Sequence, residues 1–165
     1  MLDRQTLTDA WTGYFDGYNH GYFITLNSKM RVDGTTDHRA NNKHIKLDTM
    51  VQDFVNRLNQ KCFGRRYERK EEGARLKCLV GYEVGLIDGL IHCHLLAAHD
   101  GSVRPTTDDI RQIAHRKWDD VCGTWGRKQF VDVAELDNIR DRIWYLTKQT
   151  TQYQRQFGEF NIIPV

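Results

Sequence analysis

The chain has few of the features that mark membrane, secreted or multidomain proteins. None of its apolar runs approaches the length of a membrane span, and its first ten residues lack the apolar stretch of a signal peptide. It has only two prolines, Pro105 and Pro164, and no repeat, low-complexity tract or linker interrupts its 165 residues. These absences predict one domain of residues 1–165, with a core from about 21 to 151, in the cytoplasm of a bacterial or other host cell and without a membrane partner.

Cysteine is also sparse. Cys62, Cys78, Cys93 and Cys122 form no Cys-x-x-Cys pair and no regular spacing. Each lies in or beside an apolar periodic segment, which predicts buried, reduced thiols and argues against a structural zinc ribbon.

Strand and helix signals alternate along the chain. An Asp-Gly turn separates two of the strands, and hydroxyl and acidic residues after Pro105 begin a helix. The predicted elements are a strand at 21–28, a polar loop at 31–46, a helix at 47–62, strands at 76–84 and 90–98 around a turn at 85–89, a helix from 105 to 123, a strand at 128–136, and a last helix from Asp137 or Asn138 to about Thr151.

This order is β-α-β-β-α-β with a helix appended, the split βαβ pattern of ferredoxin-like α+β domains. It predicts a central antiparallel sheet with two helices on one face. The appended helix, which carries Tyr145, could cover the other face.

The third predicted strand contains His92-Cys93-His94. Side chains alternate across a sheet, so both imidazoles share one face and Cys93 points to the other. Glu83 lies on the preceding strand, across the hairpin, and could bring a carboxylate beside them. Two imidazoles and a carboxylate suit Mn²⁺, Zn²⁺ or Fe²⁺, and Mg²⁺ where substrate phosphate helps. Hydrogen-bonded core histidines are the alternative that this pattern leaves open.

The last predicted helix contains Tyr145-Leu146-Thr147-Lys148. A tyrosine and a lysine three residues apart share one face of a helix, and an ammonium near the phenol would favour the phenolate. A packing tyrosine and a solvated lysine are the alternative. With a metal, this pair would supply the equipment for breaking a phosphodiester.

A basic cluster lies between residues 61 and 77, with seven basic residues against three acidic ones. It could follow a phosphate backbone, and Arg65, Arg66 and Arg69 are the predicted DNA contacts. A solvated loop is the alternative.

Together these residues resemble the HUH endonucleases, which include the rolling-circle replication initiators of filamentous phages and small plasmids. The first motif is similar to Tyr22-Phe23-Ile24-Thr25-Leu26-Asn27, the second to His92-Cys93-His94 and the third to Tyr145-Leu146-Thr147-Lys148, in the replication-initiator order. Glu83 occupies the place of the upstream acidic metal ligand. The resemblance spans about residues 21–149, and the end of the first motif makes Asn27 a further candidate DNA contact.

The resemblance implies a nuclease that nicks single-stranded DNA at a hairpin origin with Mn²⁺ or Mg²⁺. Tyr145 would attack the phosphate, leaving a 5′-phosphotyrosyl link that can be rejoined and a 3′-hydroxyl that can prime synthesis. No helicase domain follows the third motif, so unwinding is expected from another protein, such as a host helicase that acts with a polymerase, or from a missing part of the chain. Only Tyr145 fits the nucleophile position.

Three other readings remain open. A single-strand transposase of the IS200/IS605 kind has a similar architecture and carries a glutamine on its tyrosine helix, and Gln149 lies four residues after Tyr145. A non-catalytic single-strand-binding domain would use the aromatics and the basic loop alone. A small His₂Glu metallohydrolase or oxygenase would leave the basic cluster and the tyrosine helix without a role.

Overall fold

The computed structural model describes residues 3–31, 38–67, 75–84, 90–101, 105–122, 130–147 and 162–164. For residues 29–31, 38–45, 84 and 162–164 it describes the backbone alone. None of the helices in these ranges is both long and apolar enough to cross a membrane.

The described elements alternate as the sequence predicts, with one extra helix at the start and one short strand at the end. In chain order they are α1 (Arg4–Tyr14), β1 (His20–Arg31), α2 (His38–Phe63), β2 (Lys77–Val84), β3 (Leu90–His99), α3 (Thr107–Cys122), β4 (Val131–Glu135), α4 (residues 139–147) and β5 (Ile162–Pro164).

The strands form one antiparallel sheet in the order β4-β1-β3-β2-β5. Its four main strands have the order of a ferredoxin-like domain, with β1 and β3 in the centre. This confirms the predicted α+β class and the split βαβ arrangement. The fifth strand is three residues long and pairs with β2 at the edge.

The two faces of the sheet carry separate cores. On one face, Ile24, Val80, Cys93 and Leu95 belong to a large cluster with the buried residues of α2 and α3. On the other face, a smaller cluster joins the sheet to α1 and α4; its members are Phe15, Tyr18, Phe23, Leu79, Leu96, Ala98, Ile143 and Leu146. The predicted distribution of helices over the two faces is therefore confirmed for the described residues.

Three elements differ from the sequence prediction. Helix α2 begins at His38, so the predicted loop at 31–46 is wrong for residues 38–46. The first turns of α2 lack apolar periodicity, which is why the pattern alone began the helix at Leu47. Helix α1 was not predicted; Asp3 caps it by accepting a hydrogen bond from the backbone of Thr6. Strand β5 lies in the tail for which the pattern predicted nothing, while the turn at 85–89 and residues 148–151 lie outside the described residues.

None of the four cysteines forms a disulfide within the described residues, as predicted, but only Cys78 and Cys93 are fully buried. Burial raises the pKa of Cys62 and of Cys78 to about 12, and raises that of Cys93 well above its usual value. These thiols therefore stay protonated in the folded chain at a pH where the unfolded chain releases their protons.

Stability should consequently fall as the pH rises above about 9, because the folded chain then binds more protons than the unfolded chain. Urea unfolding at pH 8 and pH 10 measures the fall. In Cys78→Ala the fall should be smaller by about 1 kcal/mol, because one buried thiol no longer titrates. An equal fall in stability in both proteins would show that the buried thiol of Cys78 does not cause the pH dependence.

Candidate metal and nucleophile site

The predicted site residues lie on the sheet face that carries α1 and α4, here called the histidine face. Alternation along β3 places His92 and His94 on this face and Cys93 in the core of the other. The apolar cluster under α1 and α4 covers the part of the face around Leu96 and Ala98. The part with the two histidines extends beyond that cluster.

Two cross-strand rows hold the predicted ligands. In one row His92 lies opposite Asn27 of β1 and opposite Glu83 of β2. In the next row His94 lies opposite Thr25 and Gly81. Opposed residues in a sheet have Cβ atoms about 4.5–5.5 Å apart, so the pairing alone brings the three predicted ligands together.

His94 is the more deeply held of the two histidines, with 7% of its surface exposed. Its Nε2 lies 3.1 Å from Oε2 of Glu83, and its Nδ1 lies 3.2 Å from Oγ1 of Thr25. The ring stacks on Phe23, with centroids 5.8 Å apart and planes 11° apart. Contacts on both nitrogens and on one ring face fix the orientation of this imidazole.

His92 is oriented by Asn27. Nδ1 of His92 lies 2.6 Å from Oδ1 of Asn27. An amide oxygen can only accept, so Nδ1 donates the hydrogen, and Nε2 becomes the nitrogen whose lone pair can bind a metal. The sequence made Asn27 a candidate DNA contact; the structure places its side-chain oxygen on a predicted metal ligand.

Imidazole and carboxylate are side-chain types that bind divalent cations. His94 and Glu83 are in contact, and His92 is one cross-strand step from Glu83. In the part of the chain that the structure describes, no three or more His, Cys, Asp or Glu side chains are placed so that they could hold a metal ion. His92, His94 and Glu83 are therefore candidate ligands that share one face, and the arrangement of their side chains is not that of a formed metal site.

Tyr145 of α4 lies directly over this site. Its ring meets His94 edge to face, with centroids 5.4 Å apart, and meets Phe23 in the same way at 5.9 Å. The residue is 39% exposed. The structure therefore brings the predicted nucleophile into contact with one of the predicted metal ligands, His94.

Gly81 allows α4 to approach the sheet this closely. A Cβ atom built on Gly81 would lie 2.9 Å from Cδ2 of Leu146, the residue after Tyr145. Leu146 and Ile143 are fully buried against the sheet. The contact at Gly81, in the same row as His94, sets the height of Tyr145 above the histidines.

Helix α1 holds α4 from its outer side. Thr8 and Thr147 share a buried hydrogen bond of 3.1 Å between their hydroxyl oxygens. Asp9 accepts a hydrogen bond of 2.6 Å from Arg140. Arg4 donates to the carbonyl of Trp144, and its guanidinium lies 3.6 Å from the centroid of the Trp144 ring.

Arg142 adds a cation to the inner side of α4. It lies three residues before Tyr145 and therefore on a neighbouring part of the same helix face. Its guanidinium is 5.1 Å from the centroid of Phe23 and forms an ion pair of 3.4 Å with Asp137. The backbone N–H of Asn138 and, to a lesser extent, Arg142 lower the pKa of Asp137. Asn138 caps the helix by accepting a hydrogen bond from Asp141.

Of the remaining predicted residues, Arg65 and Arg66 are not brought to the site. Lys148 and Arg69 lie outside the described residues. Arg65 and Arg66 follow the end of α2, which is tied to the start of β2 by a hydrogen bond from Leu76 to Asn59. Glu83 lies near the other end of β2, about 20 Å away along the strand. Arg65 instead lines a cleft with Arg57 and Lys117, which are paired with acidic residues of their own helices.

Sequence reasoning missed Phe23, Thr25 and Arg142 as parts of the site. Alternation along β1 places Phe23 and Thr25 on the same face as Asn27, so the first two could have been found from the strand pattern. Arg142 could also have been found, because a residue three positions before Tyr145 lies on the same face of a helix. The register of β1 against β3, which assigns Thr25 to His94, was not visible in the sequence.

No protein-family model, no curated protein and no solved structure matches this chain.

Trp118 of α3 supports the site from the opposite side of the sheet. It is fully buried, and its indole nitrogen donates a hydrogen bond of 3.0 Å to the backbone carbonyl of Asn27. Trp118→Phe removes this donor and part of a packed ring, so it should lower the free energy of unfolding by about 2 kcal/mol. Urea denaturation measures the loss. Trp144→Phe on the surface of α4 should cost less than about 1 kcal/mol, and equal losses would contradict the role of Trp118.

Proposed function

We propose that this chain is a metal-dependent enzyme of the HUH endonuclease type, which nicks and rejoins single-stranded DNA and initiates rolling-circle replication. The observation that carries the proposal is the position of Tyr145, edge-on over His94, whose other contacts are Glu83 and Thr25. A nucleophile, two imidazoles and a carboxylate thus meet on one partly open sheet face.

In this proposal His92, His94 and Glu83 hold a divalent ion, Mn²⁺ or Mg²⁺. When bound, the ion polarises a non-bridging oxygen of the phosphate. Asn27 keeps Nε2 of His92 available for binding, and the stacked ring of Phe23 keeps His94 in place. The partial exposure of Glu83, whose side chain is 36% accessible, leaves room for a phosphate to approach.

The phenolic oxygen of Tyr145 forms the new bond to phosphorus, and the bond from phosphorus to the 3′-oxygen breaks. The phenolic proton is lost, and the leaving 3′-oxygen takes up a proton to become a hydroxyl. The product is a 5′-phosphotyrosyl link, and the reverse attack by a 3′-hydroxyl rejoins the strand. Arg142, three residues before Tyr145, is a cation of this helix that can offset the charge of the phosphate. Lys148, which lies outside the described residues, is the cation that the sequence predicts for the same role.

Replication initiation is preferred to transposition because the third motif has the Tyr-x-x-Lys spacing and the first motif forms β1 beside the histidines. The proposed partner is single-stranded DNA at a hairpin origin, with a host helicase and polymerase to unwind and extend it. Joining of donor to target sequences without replication would favour the transposase.

Tyr145→Phe should abolish covalent attachment to DNA, because the phenyl ring keeps its contacts with His94 and Phe23 but has no oxygen to attack phosphorus. The measurement incubates the protein with a pool of single-stranded oligonucleotides and Mn²⁺, and scores adducts that resist denaturation. Affinity for the same oligonucleotides should change less than about threefold, since the ring stays in place.

The matched control is Tyr14→Phe, which alters an equally exposed tyrosine on α1. It should form the adduct at the rate of the unaltered protein. An adduct that persists in Tyr145→Phe would remove Tyr145 from the nucleophile role.

Metal binding can be measured without DNA. Mn²⁺ at a hundred times its dissociation constant should stabilise the folded chain by about 2.7 kcal/mol, which thermal unfolding detects. His94→Ala and Glu83→Gln should each lose most of this stabilisation and most of the adduct formation. His115→Ala on α3, a histidine on the other side of the sheet, should keep both.

Two results would count against the enzyme. Stabilisation by Mn²⁺ that survives both substitutions would place the metal elsewhere. Tight binding of single strands without metal and without any adduct would favour the non-catalytic binding domain.

A further inference from the structure

Phe130 continues the row of the first histidine onto the edge strand β4. The backbone N–H of Asn27 donates a hydrogen bond of 3.1 Å to the carbonyl of Phe130, one step beyond the pair of Leu26 and Val131. Phe130 thus lies beside Asn27, in line with His92 and Glu83. Two strand spacings, about 10 Å, separate it from His92.

The side chain of Phe130 belongs to the histidine face. Val131 and Val133 are buried in the core of the other face. Alternation therefore places Phe130 with Asp132, on the same side as the histidines. Its exposed fraction is 60%, the highest among the large apolar side chains in the described ranges.

The other exposed aromatics are engaged by neighbouring side chains. Tyr14 meets the ammonium of Lys77, Trp144 carries the guanidinium of Arg4, and Tyr145 packs on His94. Within the described residues, the ring of Phe130 has no ring partner and no cation over it. An apolar ring is thus presented to solvent in the row of the candidate site.

We propose that Phe130 is a stacking platform for one base of the single strand, next to the phosphate that Tyr145 attacks. This inference rests on the proposed function and deepens it. An exposed aromatic ring on an antiparallel sheet can stack on an unpaired base. Every base has an aromatic face, so this stacking does not depend on sequence. Phe130 would then contribute affinity and strand position, and leave the choice of sequence to other residues.

The charges around Phe130 favour a base over a phosphate. Asp132 is exposed two residues along the same strand and on the same face. A carboxylate there repels the phosphate backbone but tolerates a neutral ring. A cation near the site, Arg142 of α4, lies 5.1 Å from the ring centroid of Phe23. The backbone would therefore run beside α4, with a base turned toward β4.

The experiment measures single-strand affinity in a Tyr145→Phe background, which cannot cleave. A labelled oligonucleotide that contains the nick site is titrated against this parent, Phe130→Ala and Phe130→Trp at one fixed salt concentration. Phe130→Ala should weaken binding about tenfold, and Phe130→Trp should restore it, because tryptophan also stacks. Tyr14→Ala, an exposed aromatic near Lys77 at the opposite end of β2, should change affinity less than twofold.

A second titration locates the base. Oligonucleotides that lack one base at successive positions around the nick site are bound to the parent and to Phe130→Ala. At one position, loss of the base should lower the affinity of the parent about tenfold. The affinity of Phe130→Ala should hardly change there, because the two changes remove the same contact.

The outcomes separate this inference from the function on which it rests. If the parent binds and the unaltered protein forms the adduct, but Phe130→Ala keeps full affinity, then Phe130 does not stack on a base, and the proposed nuclease activity is still supported. If every missing base weakens both proteins equally, Phe130 does not stack. If neither binding nor adduct is found with any single strand, the proposed function fails and the platform with it.

Discussion

The packing of α4 against the sheet at Gly81 is the contact on which the site depends. A Cβ atom on Gly81 would lie 2.9 Å from Cδ2 of Leu146, so a side chain there would force Leu146 to shift, and Gly81 is the row neighbour of His94. The preceding residue of the helix, Tyr145, is thereby placed against that histidine. Backbone pairing within the sheet and one helix contact together assemble groups that are more than fifty residues apart in the chain.

The N-terminal helix gives α4 its second support. The hydroxyl pair of Thr8 and Thr147 is buried, and the ion pair of Asp9 with Arg140 lies near it on the surface. These contacts hold α4, the helix that carries Tyr145, on the side that faces α1, while the sheet holds its other side. A short helix outside the split βαβ unit thus becomes part of the architecture around the site.

The sequence was sufficient for the order of elements and for the faces of β3, because a period of two is unambiguous in a strand with apolar residues on one side. It predicted His92, His94, Glu83 and Tyr145 as one group, and the structure brings them together. It could not supply α1 or the first turns of α2, where apolar periodicity is weak. Nor could it place Arg65 and Arg66, because clustering along the chain does not tell which end of the sheet a helix reaches.

The hydroxyl of Thr25 gives His94 a freedom that its rigid ring position would otherwise exclude. With the proton on Nε2, His94 donates to Glu83, and Nδ1 accepts from Thr25. With the proton on Nδ1, the same hydroxyl accepts it instead, since a hydroxyl can play both parts. His94 can therefore change tautomer without turning its ring: it keeps its hydrogen bond with Thr25 and gives up the one to Glu83. The lone pair on Nε2 becomes available through a proton shift alone, and the sheet beneath it need not move.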